Sequence, residues 1–334
     1  MLLLRKKYLF ILIHEVMVNS KIIGVGHYLP KKIVTNSDLE SMIDTNDEWI
    51  ISRTGIKQRH IAEDKELTSK LAIEASKNAL KSADLSADKI DHVIVATTTP
   101  DETFPSTACK VQEALNLGNT PAFDVQAVCS GFIYSLQIAD SFIKSKKGKN
   151  ILIVGAETLS KIVDWKDRRT CVLFGDGAGA VILSASNKSG GILSTNLYSD
   201  GSWHDSLYAD GGPSLDQKVG KIRMKGQDIF KQAVNKLSEA TNISLNESNK
   251  KIEDVDWLIP HQANLRIING TAKKLGIKSS KVITTVKDHA NTSAASIPLA
   301  LSTSMLDGKI KAKDLLAFCA IGGGLTWGSC VLEI

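Results

Sequence analysis

The sequence predicts an α/β protein built from two duplicated halves, and three observations support this class. Segments with helical spacing of apolar residues alternate along the chain with short apolar runs typical of strands, such as ILIVGA at 151–156. Such continuous apolar runs indicate strands buried on both faces of a sheet that helices cover. The same order of segments recurs in the second half of the chain, which indicates an internal duplication.

The first half is predicted to contain two helix–strand units and a closing strand. Residues 67–100 predict a helix, a short loop, the strand KIDHVIVATT at 89–98 and a loop. The apolar run AFDVQAV at 122–128 predicts a strand that ends at Cys129, and the apolar spacing after it predicts a helix. The strands ILIVGA and FGDGAGAVILSAS, the latter at 174–186, complete this half.

The second half repeats these units in the same order. Residues 226–264 predict a helix, a short loop and the strand DVDWLIPHQA at 254–263, which aligns with 89–98. The segment KVITTVKDHANTSAASIP at 281–298 predicts a strand, a turn at Asn291 and a helix, and it aligns with the segment around Cys129. The apolar run LLAFCAI and the glycine-rich strand end GGGLTWGSCVLEI at 322–334 close the chain, and we divide it into halves 18–190 and 191–334.

Residues 1–17 are predicted to be an extension outside this fold. The apolar run Tyr8–Ile13 has six residues, fewer than the roughly 7–15 of a signal-peptide core or the roughly 20 of a membrane span. His14 and Glu15 follow it directly. We expect residues 1–16 to be dispensable, with Met17 as a candidate start.

Composition excludes several classes of protein. The formal charge of +5 is too small to indicate nucleic-acid binding. Five scattered cysteines argue against a disulfide framework and favour a reducing compartment, so we expect a cytoplasmic protein. Neither CxxC nor HExxH spacing occurs, so a zinc site is not predicted.

Cys129 lies at a predicted strand-to-helix turn, a position that suits a nucleophile. The start of a helix carries partial positive charge, so we expect a lowered thiol pKa and a thiolate. Ser130 and Gly131 leave space for a substrate. The alternative is a buried structural cysteine, as we predict for the other four cysteines, which lie in apolar segments.

Two further polar residues lie at predicted strand ends or turns. His261 follows the strand core at 256–259, and Asn291 occupies the turn equivalent to that of Cys129 under the duplication. Packing of the two halves against each other would bring all three residues to one site. Taken singly, His261 could be structural and Asn291 could be a turn or cap residue.

The segments around these residues resemble the thiolase superfamily. AVCSGF surrounds Cys129, PHQANLRI surrounds His261, HANTSAASIP surrounds Asn291, and GGGLTWGS at 322–329 resembles the terminal glycine loop. DTNDEWIISRTGIKQRHIA at 44–62 and RRTCVLFGDGAGAV at 168–181 narrow the resemblance to the β-ketoacyl-acyl carrier protein synthase III family. The resemblance covers residues 21–334.

The resemblance implies a thiolase-like five-layered αβαβα fold, a homodimer and a catalytic triad of Cys129, His261 and Asn291. It implies condensation of acetyl-CoA, or another short acyl-CoA, with malonyl-acyl carrier protein to start fatty acid synthesis, without a metal or a cofactor. Cys129 would carry the acyl group, and His261 and Asn291 would donate to the enolate oxygen. The N–H groups of Cys129 and Gly323 would form an oxyanion hole.

Matching positions also imply binding residues. Those for coenzyme A would be Thr45, Trp49, Arg53, Arg168, Gly226, Phe230 and Asn264. The acyl pocket would be bounded by Ile321 and, from the neighbouring subunit, by Phe104. An acidic carrier protein would bind Lys231, Arg266, Lys273 and Lys274. Without the resemblance, these basic residues fit an ordinary solvated helix face equally well.

Departures from the family pattern concern the substrate rather than the reaction class. Ile321 stands where an aromatic residue is common, and Arg169 stands where glycine is frequent. The alternative function is a related condensing enzyme of secondary metabolism with a different acyl primer. A cysteine hydrolase is disfavoured by the AVCSGF context and the duplicated sheets, and a non-catalytic carrier-binding module is disfavoured by the intact triad.

Overall fold

The computed structural model describes residues 18–334, so the predicted extension at 1–17 lies outside the described residues. The strands are β1 (Asn19–Tyr28), β2 (Lys32–Thr35), β3 (Gln58–Ile61), β4 (His92–Ala96), β5 (Ala122–Val125), β6 (Asn150–Thr158), β7 (Asp176–Ser186), β8 (Gly191–Ser199), β9 (Leu207–Ala209), β10 (Ile222–Met224), β11 (Trp257–Pro260), β12 (Leu315–Gly322) and β13 (Thr326–Glu333). The α-helices are α1 (Asn36–Glu40), α2 (Asp47–Thr54), α3 (Thr68–Ser82), α4 (Thr107–Ala114), α5 (Gly131–Lys144), α6 (Gly226–Glu247), α7 (Leu265–Leu275), α8 (Val286–His289) and α9 (Ser296–Leu306).

The first main sheet has the strand order β1-β7-β6-β4-β5. Strand β4 is parallel to both β5 and β6, whereas β7 is antiparallel to β6 and β1. Every residue of β6 is buried, as its continuous apolar run predicts. Because β4, β5 and β6 run in the same direction, their carboxyl ends share one edge of the sheet, and the turn that carries Cys129 follows β5 at that edge.

The second main sheet has the order β11-β12-β13-β8. Strands β11 and β12 are parallel, and the other two pairs are antiparallel. His261 directly follows the last residue of β11, at the carboxyl end of this parallel pair. His261 in the second half and Cys129 in the first half thus each follow the carboxyl end of a parallel strand, although β11 corresponds to β4 rather than to β5 under the duplication.

Helices and sheets stack in five layers in the order α-β-α-β-α. Helices α3 and α4 cover the outer face of the first sheet, α5 and α9 lie between the sheets, and α6 covers the second sheet with α7 packed against it. Apolar clusters fill these interfaces. In the central layer, the rings of Phe132 on α5 and Phe318 on β12 lie 6.5 Å apart. The central helices thus join the two halves into one core.

The duplication is visible in the order of elements, with one difference. The strand predicted at the start of the segment 281–298, here residues 281–285, forms only an isolated parallel bridge, between Val282 and Leu258 of β11. The side-chain oxygen of Gln262 accepts hydrogen bonds from the N–H groups of Thr285 and Val286, at 2.8 and 3.2 Å. These bonds occupy backbone donors that a strand would use, so the strand prediction is wrong for this segment.

Glycine lets the two halves meet closely behind the turn that carries Cys129. A Cβ atom on Gly155 of β6 would lie 2.3 Å from the carbonyl oxygen of Ala294. A side chain at Gly155 would therefore force the two segments apart. Strand β6 passes directly against the turn Ser293–Ala295, which follows Asn291 and precedes α9.

Candidate active site

Cys129 lies where the sequence predicts it, between β5 and α5. It occupies the short turn Val128–Ser130, immediately before the first residue of α5. Val128 has a φ of 48°, a left-handed conformation that β-branched residues rarely adopt. Backbone strain of this kind persists where the surrounding structure enforces it, which is common at functional sites. Cys129 is 4% exposed and lines a cavity.

Burial rather than the helix start dominates the acidity of this thiol. Removal from water raises the pKa of the Cys129 thiol to about 12. The hydroxyl of Ser293 lowers that pKa and the carboxyl group of Glu157 raises it, both by less than burial does. The prediction of a lowered thiol pKa is therefore wrong for the resting site. Cys129 is a neutral thiol at physiological pH.

His261 is buried and neutral. Its backbone N–H donates to the carbonyl oxygen of Cys319 at 2.8 Å, and its Nδ1 lies 2.7 Å from Oγ of Ser296, the first residue of α9. The residue is 2% exposed, and burial lowers the pKa of the imidazole to about 3. A neutral imidazole carries one N–H donor and one acceptor nitrogen. His261 can therefore donate a hydrogen bond without adding a positive charge to the site.

Asn291 is held by the glycine-rich segment that begins β7. Its N–H donates to the carbonyl oxygen of Leu173 at 2.9 Å, and its carbonyl oxygen accepts from the N–H of Gly175 at 3.0 Å. The side-chain oxygen accepts from the N–H of Ser293 at 2.9 Å. Because the acceptor in this bond must be the amide oxygen, the other side-chain atom is the NH₂ nitrogen, which remains available as a donor.

The three predicted catalytic residues line one cavity of about 520 Å³. This volume lies within the roughly 300–1,000 Å³ typical of small-molecule sites. Cys129, His261 and Asn291 are among its buried lining residues, and both halves of the chain contribute to its wall. The structure thus brings together three residues that are far apart in the sequence. A thiol and two neutral donors around one space suit acyl transfer and the stabilisation of an oxyanion.

Two glycines of the terminal loop pack closely against two different residues that line the cavities. A Cβ atom on Gly322 would lie 2.6 Å from the amide nitrogen of Cys129, whereas one on Gly323 would lie 2.5 Å from the carbonyl oxygen of Leu207. Gly322 therefore makes the close approach to the nucleophile, a contact that the sequence did not predict. The oxyanion hole formed by the N–H groups of Cys129 and Gly323 stays a prediction.

Two guanidinium groups lie near the ring of Trp49, which lines the cavity. The central guanidinium carbon lies 5.3 Å from the ring centroid for Arg168 and 6.0 Å for Arg53. Arg168 is held by Asp44, through the backbone oxygen at 2.8 Å and the carboxylate at 3.1 Å. Trp49 and Arg53 line the cavity, and Arg168 lies beside it against the indole.

Gly226, Phe230 and Asn264 also line the cavity. The side-chain oxygen of Asn264 caps α7 by accepting from the N–H of Ile267 at 2.9 Å, so only its NH₂ group can serve a ligand. Thr45 does not line the cavity, although its hydroxyl is buried without a hydrogen-bond partner.

Arg169 brings a further charge to the cavity wall. It lines the cavity, and its Nε lies 2.9 Å from the carboxylate of Asp167. Its side chain nevertheless remains largely exposed. Arg169 therefore adds a guanidinium group to the wall that Trp49 and Arg53 also line, where a ligand could reach it.

A second, smaller cavity adjoins Cys129. It measures about 130 Å³, below the roughly 300–1,000 Å³ of sites for drug-sized ligands, and its lining includes Leu159, Ile162, Phe174, Leu207 and Ile222. Ile321 lines the larger cavity instead, and Phe104, which is 83% exposed, lines neither cavity. The lining comes from separate segments, so no single motif predicts it.

The four basic residues predicted to bind a carrier protein lie on α6 and α7. Lys231 and Arg266 line the mouth of the larger cavity, and the guanidinium carbon of Arg266 lies 5.3 Å from the ring centroid of Phe230. Lys273 and Lys274 lie farther along α7 and are exposed. We call these four residues the basic face.

Glu157 is a buried carboxyl group near Cys129 that the sequence reasoning missed. It accepts hydrogen bonds from the hydroxyl of Thr99 at 2.7 Å and from the N–H of Thr98 at 3.1 Å. Burial raises the pKa of its carboxyl group, which favours the neutral acid. The available signal was an acidic residue within the apolar strand ILIVGAE, where charge is costly unless paired.

Within residues 18–334, no group of three or more histidine, cysteine or acidic side chains could hold a metal ion. No helix in the same range is long and apolar enough to cross a membrane. All five cysteines are unpaired.

Comparison with known proteins gives two matching family models. The model described as 3-oxoacyl-[acyl-carrier-protein (ACP)] synthase III matches residues 123–201, and its C-terminal counterpart matches residues 245–334. A β-ketoacyl-[acyl-carrier-protein] synthase III of Paramagnetospirillum magneticum is 55% identical over 322 residues, which cover 95% of this chain and 99% of that protein.

Solved structures agree with this result. The 3-oxoacyl-[acyl-carrier-protein] synthase III of Aquifex aeolicus matches with a TM-score of 0.91 and 51% identity, over 94% of this chain and 100% of that one. A priming β-ketosynthase from the R1128 polyketide pathway matches with a TM-score of 0.90 and 32% identity, over 95% and 96% of the two chains. The predicted thiolase-like fold is thereby confirmed.

Proposed function

The chain belongs to the 3-oxoacyl-[acyl-carrier-protein] synthase III family, and we propose that its larger cavity condenses a short acyl-CoA with malonyl-acyl carrier protein. It is an acyl-condensing acyltransferase of fatty acid synthesis. The observation that carries the assignment of the site is the convergence of Cys129, His261 and Asn291 on one cavity. Acetyl-CoA is the expected primer.

In the first half-reaction, the sulfur of Cys129 attacks the thioester carbonyl carbon of acyl-CoA. The new carbon–sulfur bond forms, the bond to coenzyme A breaks, and the thiol proton ends on the coenzyme A sulfur. The N–H groups of Cys129 and Gly323 would stabilise the intermediate oxyanion. A cysteine suits this step because thioester exchange is nearly isoenergetic, so the acyl group can later be passed on.

In the second half-reaction, malonyl-acyl carrier protein loses carbon dioxide and leaves an enolate. His261 and Asn291 donate to its oxygen, and one such donor typically contributes about 2.7–4 kcal/mol to the transition state. The enolate carbon then attacks the acyl group on Cys129 and releases the β-ketoacyl product. The departing Cys129 thiolate takes up a proton, so the reaction balances without an external oxidant or a cofactor.

Coenzyme A would bind at the exposed part of the cavity. The stack of Arg168 on Trp49 supports a site in which adenine is held between the two groups. Arg53 and Arg169 lie where they can meet phosphate groups, and Asn264 has an NH₂ group available for the pantetheine arm. Gly226 and Phe230 would line the path of that arm.

The smaller cavity supports a short primer. Its volume of about 130 Å³ and its apolar lining suit an acetyl group or a slightly longer chain. Phe104 is 83% exposed, an arrangement that supports a homodimer in which this ring reaches the acyl pocket of the partner subunit. We place the enzyme in the cytoplasm, where its carrier-protein substrate would be available.

The basic face would bind the acidic carrier protein. Lys231 and Arg266 lie at the cavity mouth, so a carrier docked there could insert its malonyl thioester towards Cys129. Opposite charges on the two surfaces would speed encounter and set the orientation of the carrier.

Intact-mass analysis after incubation with acetyl-CoA tests the assignment. The wild-type chain should gain one acetyl group on the peptide that contains Cys129, and Cys129→Ala should gain none. Cys109→Ala is a matched control because that free thiol lines neither cavity. Acetylation of another cysteine, or of Cys129→Ala at the wild-type rate, would disprove the proposed nucleophile.

The alternative is a condensing enzyme that primes a secondary pathway. The structural match to a polyketide priming β-ketosynthase supports this alternative function. A panel of acyl-CoA primers of increasing length separates the two, since the small cavity predicts a steep loss beyond short chains. Preference for long or aromatic primers would favour the secondary pathway.

A further inference from the structure

The hydroxyl of Ser296 makes two buried hydrogen bonds beside the proposed catalytic histidine. Its Oγ lies 2.7 Å from Nδ1 of His261 and accepts from the backbone N–H of Gln262 at 3.3 Å. Ser296 is 2% exposed, so water does not compete for this oxygen. Ser296 begins α9, whereas His261 and Gln262 follow β11, so this contact joins two layers of the fold.

Counting donors and acceptors assigns the proton on His261. The N–H of Gln262 can only donate, so Ser296 Oγ acts as an acceptor in that bond and keeps its own O–H to give. Among the residues that the structure describes, Nδ1 of His261 is the one acceptor within reach of this O–H. A buried hydroxyl that lacked an acceptor would be costly. Nδ1 therefore accepts, and the neutral imidazole carries its proton on Nε2.

We propose that Ser296 is a positioning residue that fixes His261 as the Nε2–H tautomer and makes its imidazole a donor towards the cavity. Because Nδ1 faces Ser296, Nε2 is the ring nitrogen left for a ligand. The backbone bond from Gln262 fixes the serine oxygen in turn. The catalytic consequence rests on the proposed function, but the tautomer itself does not.

With this tautomer, His261 can act in the second half-reaction but cannot activate Cys129 in the first. A protonated Nε2 suits the enolate oxygen in decarboxylation, where a donor is required. The same nitrogen has no lone pair to accept the thiol proton of Cys129. His261 is therefore a donor and not the base that activates Cys129, and loss of Ser296 should impair decarboxylation without slowing acylation.

The first test is the position of the proton in the full-length protein without substrate. Histidine labelled with ¹⁵N distinguishes the two ring nitrogens by NMR, and His261→Asn assigns the His261 signals. We expect wild-type His261 to carry its proton on Nε2. A wild-type Nδ1–H tautomer would overturn the proposal whatever the activity, and this result does not depend on the folding of any variant.

The second test uses Ser296→Ala with a matched control on the same helix. Ser302 also lies on α9, and its hydroxyl lies 2.9 Å from Nδ1 of His27, outside both cavities. Ser302→Ala thus removes a serine–histidine contact without touching His261. Ser296→Thr keeps a hydroxyl and should restore the wild-type tautomer.

We expect Ser296→Ala to lower carbon dioxide release from malonyl-acyl carrier protein by roughly tenfold or more, because one buried hydrogen bond no longer selects the tautomer. Acetylation of Cys129 by acetyl-CoA should be at least as fast as in wild type, and Ser302→Ala should keep both rates. An unchanged tautomer, or equal loss of both half-reactions in a folded Ser296→Ala protein, would refute the positioning role. Absence of decarboxylation in wild type would refute the proposed function instead and leave the tautomer result standing.

Discussion

Replacement of Gly322 by alanine should damage the reaction far more than it damages the fold. The new Cβ atom would lie 2.6 Å from the amide nitrogen of Cys129, where ordinary contact begins at 3.4 Å, so the two backbones must separate by about 0.8 Å. The three nearest atoms are the nitrogen of Cys129, the Cβ of Val128 and the carbonyl oxygen of Ala127, and none can move aside cheaply because each is a backbone atom or is bonded directly to the backbone. Overpacking of this kind costs about 1–3 kcal/mol of folding free energy.

The activity should fall more steeply because the displaced group is the N–H of the nucleophile itself. A shift near 1 Å in a reacting group costs about a hundredfold in rate, and a lost oxyanion donor costs about a hundred- to a thousandfold. We expect the acetylation rate of Cys129 to drop about a hundredfold, measured by quenched intact-mass analysis. Urea unfolding of the same sample should show only the smaller stability loss.

Gly201→Ala provides the matched control, because a Cβ atom there meets no atom within 4 Å. That variant should acetylate and unfold like wild type. If folded Gly322→Ala acetylated Cys129 within twofold of the wild-type rate, the close approach of the glycine loop would not be part of the catalytic geometry, and the oxyanion-hole assignment beside it would fail.

Three further predictions test the ligand site, a partly buried histidine and the basic face. Trp49→Ala should raise the KM for acetyl-CoA about tenfold or more, since stacking on a base is worth about 1–3 kcal/mol, and acetyl-pantetheine should react as before. Burial lowers the pKa of His289 from 6.5 to about 4, so the unfolded chain binds an extra proton between these values and stability falls as pH falls from 6.5 towards 4. Between pH 7.5 and 5, the free energy of unfolding should therefore fall by about 2 kcal/mol less in His289→Asn than in wild type, measured by urea unfolding. Lys273→Glu should raise the KM for malonyl-acyl carrier protein several-fold and leave acetylation unchanged.

Each of these has its own contradicting result. Equal damage to acetyl-CoA and acetyl-pantetheine would mean that Trp49→Ala disturbs the fold rather than an adenine site. Parallel pH–stability curves for wild type and His289→Asn would remove His289 as the cause. Lys70→Glu, on the outer face of α3, is the charge-matched control for Lys273→Glu, and an equal effect of the two would exclude a local docking surface.

The sequence predicts the parts of this molecule that depend on local pattern. The alternation of periodic helices and apolar strands predicts the layers, and the duplication predicts that Cys129 and Asn291 occupy equivalent turns. Exceptions arise where a distant side chain replaces a local interaction. The segment at 281–285 has strand composition, but the amide of Gln262 takes its backbone donors, and no local pattern reveals that contact.

Residues that act through tertiary contacts were likewise missed. The lining of the smaller cavity combines Leu159, Phe174 and Ile222, which share no motif. Ser296 lies inside a recognised segment, yet its contact with His261 depends on how α9 meets β11. Glu157 offered a signal, because an acidic residue in an apolar strand requires an explanation, but its nearness to Cys129 follows only from the packing of β6.

Burial of the site has opposite consequences for its two half-reactions. It keeps His261 neutral, which provides a donor for the enolate, but it also holds Cys129 as a thiol. The helix start and the N–H groups near Cys129 stabilise negative charge at that turn. They therefore oppose burial, which disfavours charge, and they do so most strongly when negative charge develops on the oxygen of a bound thioester. We therefore expect Cys129 to be activated in the substrate complex rather than in the resting protein. The sequence shows that Cys129 lies at the start of a helix, but it does not show that packing against the second half of the chain buries the thiol. It therefore predicts the position of the thiol correctly and its resting pKa wrongly.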